Sequence, residues 1–124
     1  MSERYVTAQV RSYTTGTPGR HLCAARGNHF VVDDMPHHGG PGEAVNAAEL
    51  FLTGITACAT LMVERLARAA NLPLKRADVS MEGTIDTQMQ REGPVVLDRA
   101  HIKFVLAGIT DAQAKELVEN YKRR

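Results

Sequence analysis

The chain has 124 residues, 15 basic against 14 acidic side chains for a net charge of +1, and no tryptophan. That length is one domain, large enough for a core of its own but small enough that pairing with a second copy would help it bury surface. So even a charge balance, with scattered Phe and Tyr, excludes the basic, aromatic-interleaved surface that nucleic acid binding needs, and two cysteines are too few for a disulfide scaffold.

The opening "MSERYVTAQVRSY" has no apolar signal-peptide core. The longest uncharged apolar run, Leu50 to Val63, is 14 residues, short of the ~20 that span a bilayer. The expectation is a cytoplasmic protein in a reducing compartment, with no membrane and no nucleic acid partner. Residues 5–13 alternate, with Val6, Ala8 and Val10 against Thr7, Gln9 and Arg11, which predicts a half-buried strand. A Gly/Thr/Pro turn at 14–19 follows, then "RHLCAAR" and "HFVVD", two extended runs around a tight turn at Gly27-Asn28. The stretch 33–45, "DDMPHHGGPGEAV", reads as a loop long enough to carry function.

Asn46 and Glu49 form a capping-box pattern, and Asn71 before Leu72-Pro73 is a stop signal. The spacing predicts a helix over 47–70, roughly 36 Å long at 1.5 Å per residue. Its first two-thirds is apolar on nearly every side, so it is expected to be wrapped rather than laid on a surface. "ADVSMEGTID" alternates as a strand, "QREGP" turns the chain, and "HIKFVLA" gives another strand with Ile102, Phe104 and Leu106 on one face. A last helix opens on a Thr110/Gln113 capping box, with Ala114, Leu117, Val118 and Tyr121 at helical spacing. The order β-β-β-α-β-β-α makes an α+β fold of a single domain, 1–124.

Cys58 lies on the long helix and shares one face with Phe51, Gly54, Met62 and Arg65. A cysteine among apolar residues is commonly an inert core thiol. To act as a nucleophile it needs a cation beside it. The helix dipole does not supply one, because Cys58 is twelve residues past the cap and the dipole's influence fades within the first turn. Arg65 is two turns along, about 10 Å away.

The segment "GGPGEAVNAAELFLTGITACATLMVERLARAANLPL", with its Gly-rich loop, Asn-x-x-Glu-Leu helix start and cysteine twelve residues after the Asn, resembles the OsmC/Ohr family of hydroperoxide-reducing thiol proteins. The strand "VSMEGTID" and the three-strand lead-in agree with it, so the resemblance spans nearly the whole chain. It implies an intertwined homodimer, its sheets wrapped around two long central helices. It also implies a cysteine-based peroxidase for organic hydroperoxides, with Cys58 oxidised to a sulfenic acid and re-reduced by an external dithiol, and without metal or organic cofactor. The family's activating arginine matches Arg20 in "TPGR", which by itself reads equally as an exposed strand-edge charge; Arg11 is the weaker match.

The sequence departs from the family in three places. The hydroperoxide-resistance subgroup carries Glu two residues after the Asn, where this chain has Ala48; Glu49 follows, explained by capping or by a catalytic, orienting part. A resolving cysteine and closing strand usually follow the last helix, and neither follows "NYKRR" here. Either the chain continues past Arg124 or Cys58 works with an external thiol. Cys23, on an N-terminal strand, is expected to be a core residue. These departures leave a second reading open, a dimer with weak or no peroxidase activity that binds a small hydrophobic ligand or senses thiol oxidation. His21, His29, His37, His38 and His101 lack converging metal-ligand spacing and read as surface residues, with His38 a candidate for the mouth of a site.

Overall fold

The structure is a computed structural model that describes residues 4–88 and 97–123. The turn expected at "QREGP" lies outside the described residues. The chain divides into two compact units, one ending at Leu50 and the other beginning at Phe51.

The first unit is an antiparallel sheet in the order β1 (Arg11–Thr14), β2 (Arg20–Ala25), β3 (Asn28–Asp33). Its tight turn is Arg26-Gly27, one residue earlier than the sequence suggested. Both central residues have positive φ, 51° and 86°, the backbone of a type I′ turn that matches the natural twist of the flanking strands. Ala25 then pairs with Asn28, and Arg20 falls directly opposite Asp33. Cys23 and Val32 are the apolar residues buried here.

The strand expected from residue 5 begins only at Arg11, and Val6 and Val10 are exposed. The reason is the length of the neighbour. β1 pairs with β2 from Arg11↔Ala24, and β2 ends one residue later at the hairpin turn, so residues 4–10 have no strand in this sheet to bond to.

The second unit holds most of α1 (Ala47–Ala69), then β4 (Arg76–Thr84), β5 (Arg99–Ala107) and α2 (Asp111–Lys122). α1 stops in a Schellman motif: Leu72 N–H donates to the Ala67 carbonyl and Asn71 N–H to that of Arg68, with Asn71 at φ 55°. β4 and β5 form an antiparallel pair in which Val79 faces Phe104 and Met81 faces Ile102, so the alternating residues share one side. The Thr110/Gln113 capping box is formed reciprocally. Val63, Ala67 and Leu117 make the centre of the core, packed by Leu66, Leu72, Leu74, Phe104, Leu106 and Ile109. Tyr121 meets Phe104 edge-on, with ring centroids 5.5 Å apart.

Within this single chain α1 is not wrapped on every side. Ala59, Val63 and Ala67 are buried, whereas Phe51 is 62% and Leu61 43% exposed. An 18-residue window of α1 averages a hydropathy of 1.4 and is 17% buried, so by length and composition alone the helix could cross a membrane. Its buried stripe and the exposed Glu64, Arg65 and Arg68 on its second half fit a core helix whose remaining apolar face awaits cover.

Candidate thiol site

Cys58 is exposed, in mid-helix on α1. At 100° per residue it stands with Phe51, Gly54, Leu61 and Arg65, opposite the buried stripe through Ala67. A side chain added at Gly54 would meet nothing within 4 Å, so the sulfur has open space on the turn before it. A cleft of about 440 Å³ in this unit is lined by Thr60, Glu64, Ala67 and Arg68, on the far side of the helix from the thiol. The single chain therefore presents Cys58 on an apolar surface, away from that cleft.

Cys58 lies outside the core that its own chain forms, so the core-thiol reading does not describe position 58 in the single chain. It holds for Cys23, which is buried on β2 with its Sγ 3.2 Å from Ser12 Oγ. Both cysteines are free thiols.

Arg20 belongs to the first unit and Cys58 to the second. Arg20 is not an unattached strand-edge charge. Its Nε and Nη2 each donate a 2.8 Å hydrogen bond to the two carboxylate oxygens of Asp33, and Nη2 lies 3.4 Å from Glu43 Oε1. The Asp33 side chain is fully buried, the Arg20 side chain 30% exposed. Asp33 Oδ2 also accepts from the backbone N–H groups of Glu43 and Ala44, at 3.0 and 3.1 Å. Hydrogen bonding from Arg20 is the main reason the Asp33 carboxyl is held at about 2; burial opposes it and the two backbone N–H groups assist. The same hydrogen bond pushes the Arg20 guanidinium further up from its already high range.

The loop after β3 packs closely on the start of β2. Asp34 N–H donates to the Gly19 carbonyl, and Asp33 N–H to that of Val45. A Cβ on Gly19 would stand 2.5 Å from Gly40 Cα, and one on Gly40 would strike the Asp34 carbonyl. Glycine at both positions is what lets this loop close beside Arg20.

Glu49 completes a capping box with Asn46. Its backbone N–H donates to Asn46 Oδ1 at 2.8 Å, and its Oε1 accepts from the Asn46 N–H at 2.9 Å. Capping thus accounts for Glu49 at its present position. Arg11 stacks over the Tyr13 ring, 4.5 Å from its centroid. All five histidines are exposed, with His38 Nδ1 3.4 Å from Asp34 Oδ1. Among the described residues no group of three or more His, Cys, Asp or Glu side chains could hold a metal ion.

Sequence reasoning missed Asp33 and Glu43. The signal for Asp33 was a carboxylate ending an apolar strand; what hid it was the turn. A two-residue turn at Gly27-Asn28 would set Arg20 opposite Met35, and moving it to Arg26-Gly27 brings Asp33 there instead.

The family model for OsmC-like proteins matches residues 40–124, the segment from the Gly-rich loop onward. The chain belongs to the OsmC-like family. No curated protein sequence matches it. Solved structures share its fold. An OsmC-like protein from Mycoplasma pneumoniae superposes with a TM-score of 0.82 at 13% identity, over 96% of this chain and 82% of that one. An organic hydroperoxide resistance protein from Elizabethkingia anophelis gives 0.77 at 19% identity, over 98% and 85%. One from Legionella pneumophila gives 0.73 at 20% identity over the same shares. The α+β order expected from the sequence is thus the OsmC-like fold, lead-in strands included.

Proposed function

We propose that this OsmC-like protein is a thiol peroxidase that reduces organic hydroperoxides at Cys58, acting as a homodimer. The observation that carries the reading is a thiol on an apolar helix face that the core of its own chain leaves uncovered, inside the segment that matches the family. Two of the similar structures are named organic hydroperoxide resistance proteins, which agrees with this chemistry.

In the proposed step the Cys58 thiolate attacks the distal oxygen of ROOH. The S–O bond forms as the O–O bond breaks, sulfur is oxidised to the sulfenic acid, and the departing alkoxide takes a proton to leave as ROH. An external dithiol then attacks the sulfenic sulfur, releasing water and forming a mixed disulfide. Its second thiol displaces Cys58 and restores the thiolate. Arg20 is the cation that holds the thiolate and orients the peroxide, and Glu49 fixes the start of the helix that carries the sulfur. The apolar residues around Cys58 suit the alkyl part of the substrate. A second copy would cover Phe51 and Leu61 and offer residues 4–10 a strand to pair with, which supports the dimer.

A Cys23→Ser variant treated with one equivalent of tert-butyl hydroperoxide, with a sulfenic acid trap and peptide mass analysis, tests the reading. Rapid stoichiometric modification of Cys58, much faster than with hydrogen peroxide, is the expected result. A Cys58 that stays reduced for many minutes would leave the other reading, a dimer that binds a small hydrophobic ligand.

A further inference from the structure

Among the described residues, eight glycines have a visible reason to be glycine: a positive φ, or a neighbour that an added Cβ would meet at 3.0 Å or closer. Gly54 has neither. It lies inside α1 without a positive φ, and a Cβ there would meet nothing within 4 Å. Glycine in a helix interior is unfavourable relative to alanine, because its backbone loses more freedom on folding. The chain thus gives up helix stability at a position where its own packing would accept a methyl group.

Beside that gap lies the sulfur. Cys58 follows Gly54 by four residues, so the two stand on successive turns of one helix face, about 6 Å apart along the axis. Helical side chains lean towards the N-terminus, which carries the Cys58 thiol over the turn that begins at Gly54. The other positions next to the thiol are filled, by the half-buried Ile55 and Met62 and the exposed Leu61. On the turn before the gap stands Phe51, also exposed and on the same face. The space over Gly54 is therefore a notch with a phenylalanine ring at one end, the nucleophile at the other and bare backbone as its floor. A glycine that served close helix contact would be flanked by small residues. Phe51 and Leu61 instead hold any surface packed on this face at side-chain distance, leaving the notch beneath it.

We propose that Gly54 is the specificity-determining residue of the Cys58 site. The notch receives the alkyl group of a hydroperoxide whose distal oxygen meets the sulfur, and the residue at 54 sets how large that group can be. This rests on the reading of Cys58 as the peroxidatic thiol. Hydrogen peroxide, which has no alkyl group, needs no notch.

Rates of Cys58 oxidation by hydrogen peroxide, tert-butyl hydroperoxide and cumene hydroperoxide are measured for Gly54, Gly54→Ala and Gly54→Leu in the Cys23→Ser background, with circular dichroism to verify folding. The readout is the ratio of each organic hydroperoxide rate to the hydrogen peroxide rate, which a change in thiol reactivity or folding alone would not move. The expected result is a fall in the cumene ratio of about tenfold or more in Gly54→Leu and a smaller fall in Gly54→Ala, with hydrogen peroxide rates nearly unchanged. Alanine should at the same time raise the thermal midpoint by about 4 °C, so the loss comes in a more stable protein. Unchanged ratios, or an equal fall for all three peroxides, would overturn the proposal. An equal fall together with a weaker dimer in sedimentation would assign Gly54 to the contact between copies instead. Where Gly54→Leu does not fold, Gly54→Ala alone decides.

Should wild-type Cys58 prove inert to every hydroperoxide, the peroxidase reading fails on its own, and alkylation decides the notch. A lower ratio of N-phenylmaleimide to iodoacetamide rates in Gly54→Leu or Gly54→Ala supports it. An unchanged ratio, or a native thiol that reacts with neither reagent, refutes it.

Discussion

Replacing Phe51 by alanine tests whether the bare side of α1 is an interface between two copies. Phe51 is 62% exposed, and a phenylalanine side chain offers on the order of 200 Å², so roughly 120 Å² remains to be covered. At ~25 cal/mol per Å² that is about 3 kcal/mol per chain as an upper bound. A symmetric dimer carries the change twice, about 6 kcal/mol, or up to about four powers of ten in Kd. Sedimentation velocity over a concentration series reads this directly, and circular dichroism verifies that the helix is intact. The expected outcome is a dimeric wild type and a folded Phe51→Ala that dissociates at concentrations where the wild type does not. A wild type that is monomeric at tens of micromolar, or a variant with unchanged Kd, would refute the reasoning. Flotation of the wild type with lipid vesicles, lost on the same substitution, would assign that face to a bilayer instead.

Three further outcomes are expected. Val63→Ala removes two carbons from a fully buried site and should cost about 2 kcal/mol, lowering the urea midpoint without changing the slope. Asn46→Ala deletes the acceptor for the Glu49 N–H. It should cost about 1 kcal/mol, visible as faster amide exchange in the first turn of α1. Asp33 has a folded-state value of about 2 against an ordinary 3.8, so its contribution to stability is complete above about pH 4 and is lost as the pH falls from there towards 2. Asp33→Asn should remove that part of the acid sensitivity, and a pH titration of urea midpoints in which both proteins keep the same acid slope would count against it.

The loop that follows β3 gives the positions around Arg20 a narrow tolerance. A side chain on Gly19 would run into the Gly40 backbone, and the buried Asp33 receives its N–H donors from residues 43 and 44 of the same loop. A cation, its carboxylate and a glycine-rich strap are thus one unit of structure. That unit accounts for an arginine that local sequence could equally have left as a solvated charge.

Much of this was legible in the residues because it is set locally. Periodicity fixed α1, β4, β5 and α2, since side-chain spacing of 3.6 or 2 follows from backbone geometry alone. The Asn46/Glu49 and Thr110/Gln113 boxes and the Asn71 stop were readable for the same reason: donor and acceptor lie within four residues of each other. Cys58 was singled out only by the resemblance of its segment to the OsmC/Ohr family. Tertiary structure decided what depends on register and on cover. One residue of difference in the hairpin turn moved the partner of Arg20 from Met35 to Asp33, because in an antiparallel pair a change at the turn displaces the facing residue by two. The alternation of residues 5–10 had the pattern of a strand, but a strand exists only beside another, and β2 ends too soon to provide one. The apolar surface of α1 announced that the helix must be covered; which stripe its own chain covers, leaving Cys58 in the open, was fixed only when Ala59, Val63 and Ala67 met the rest of the fold.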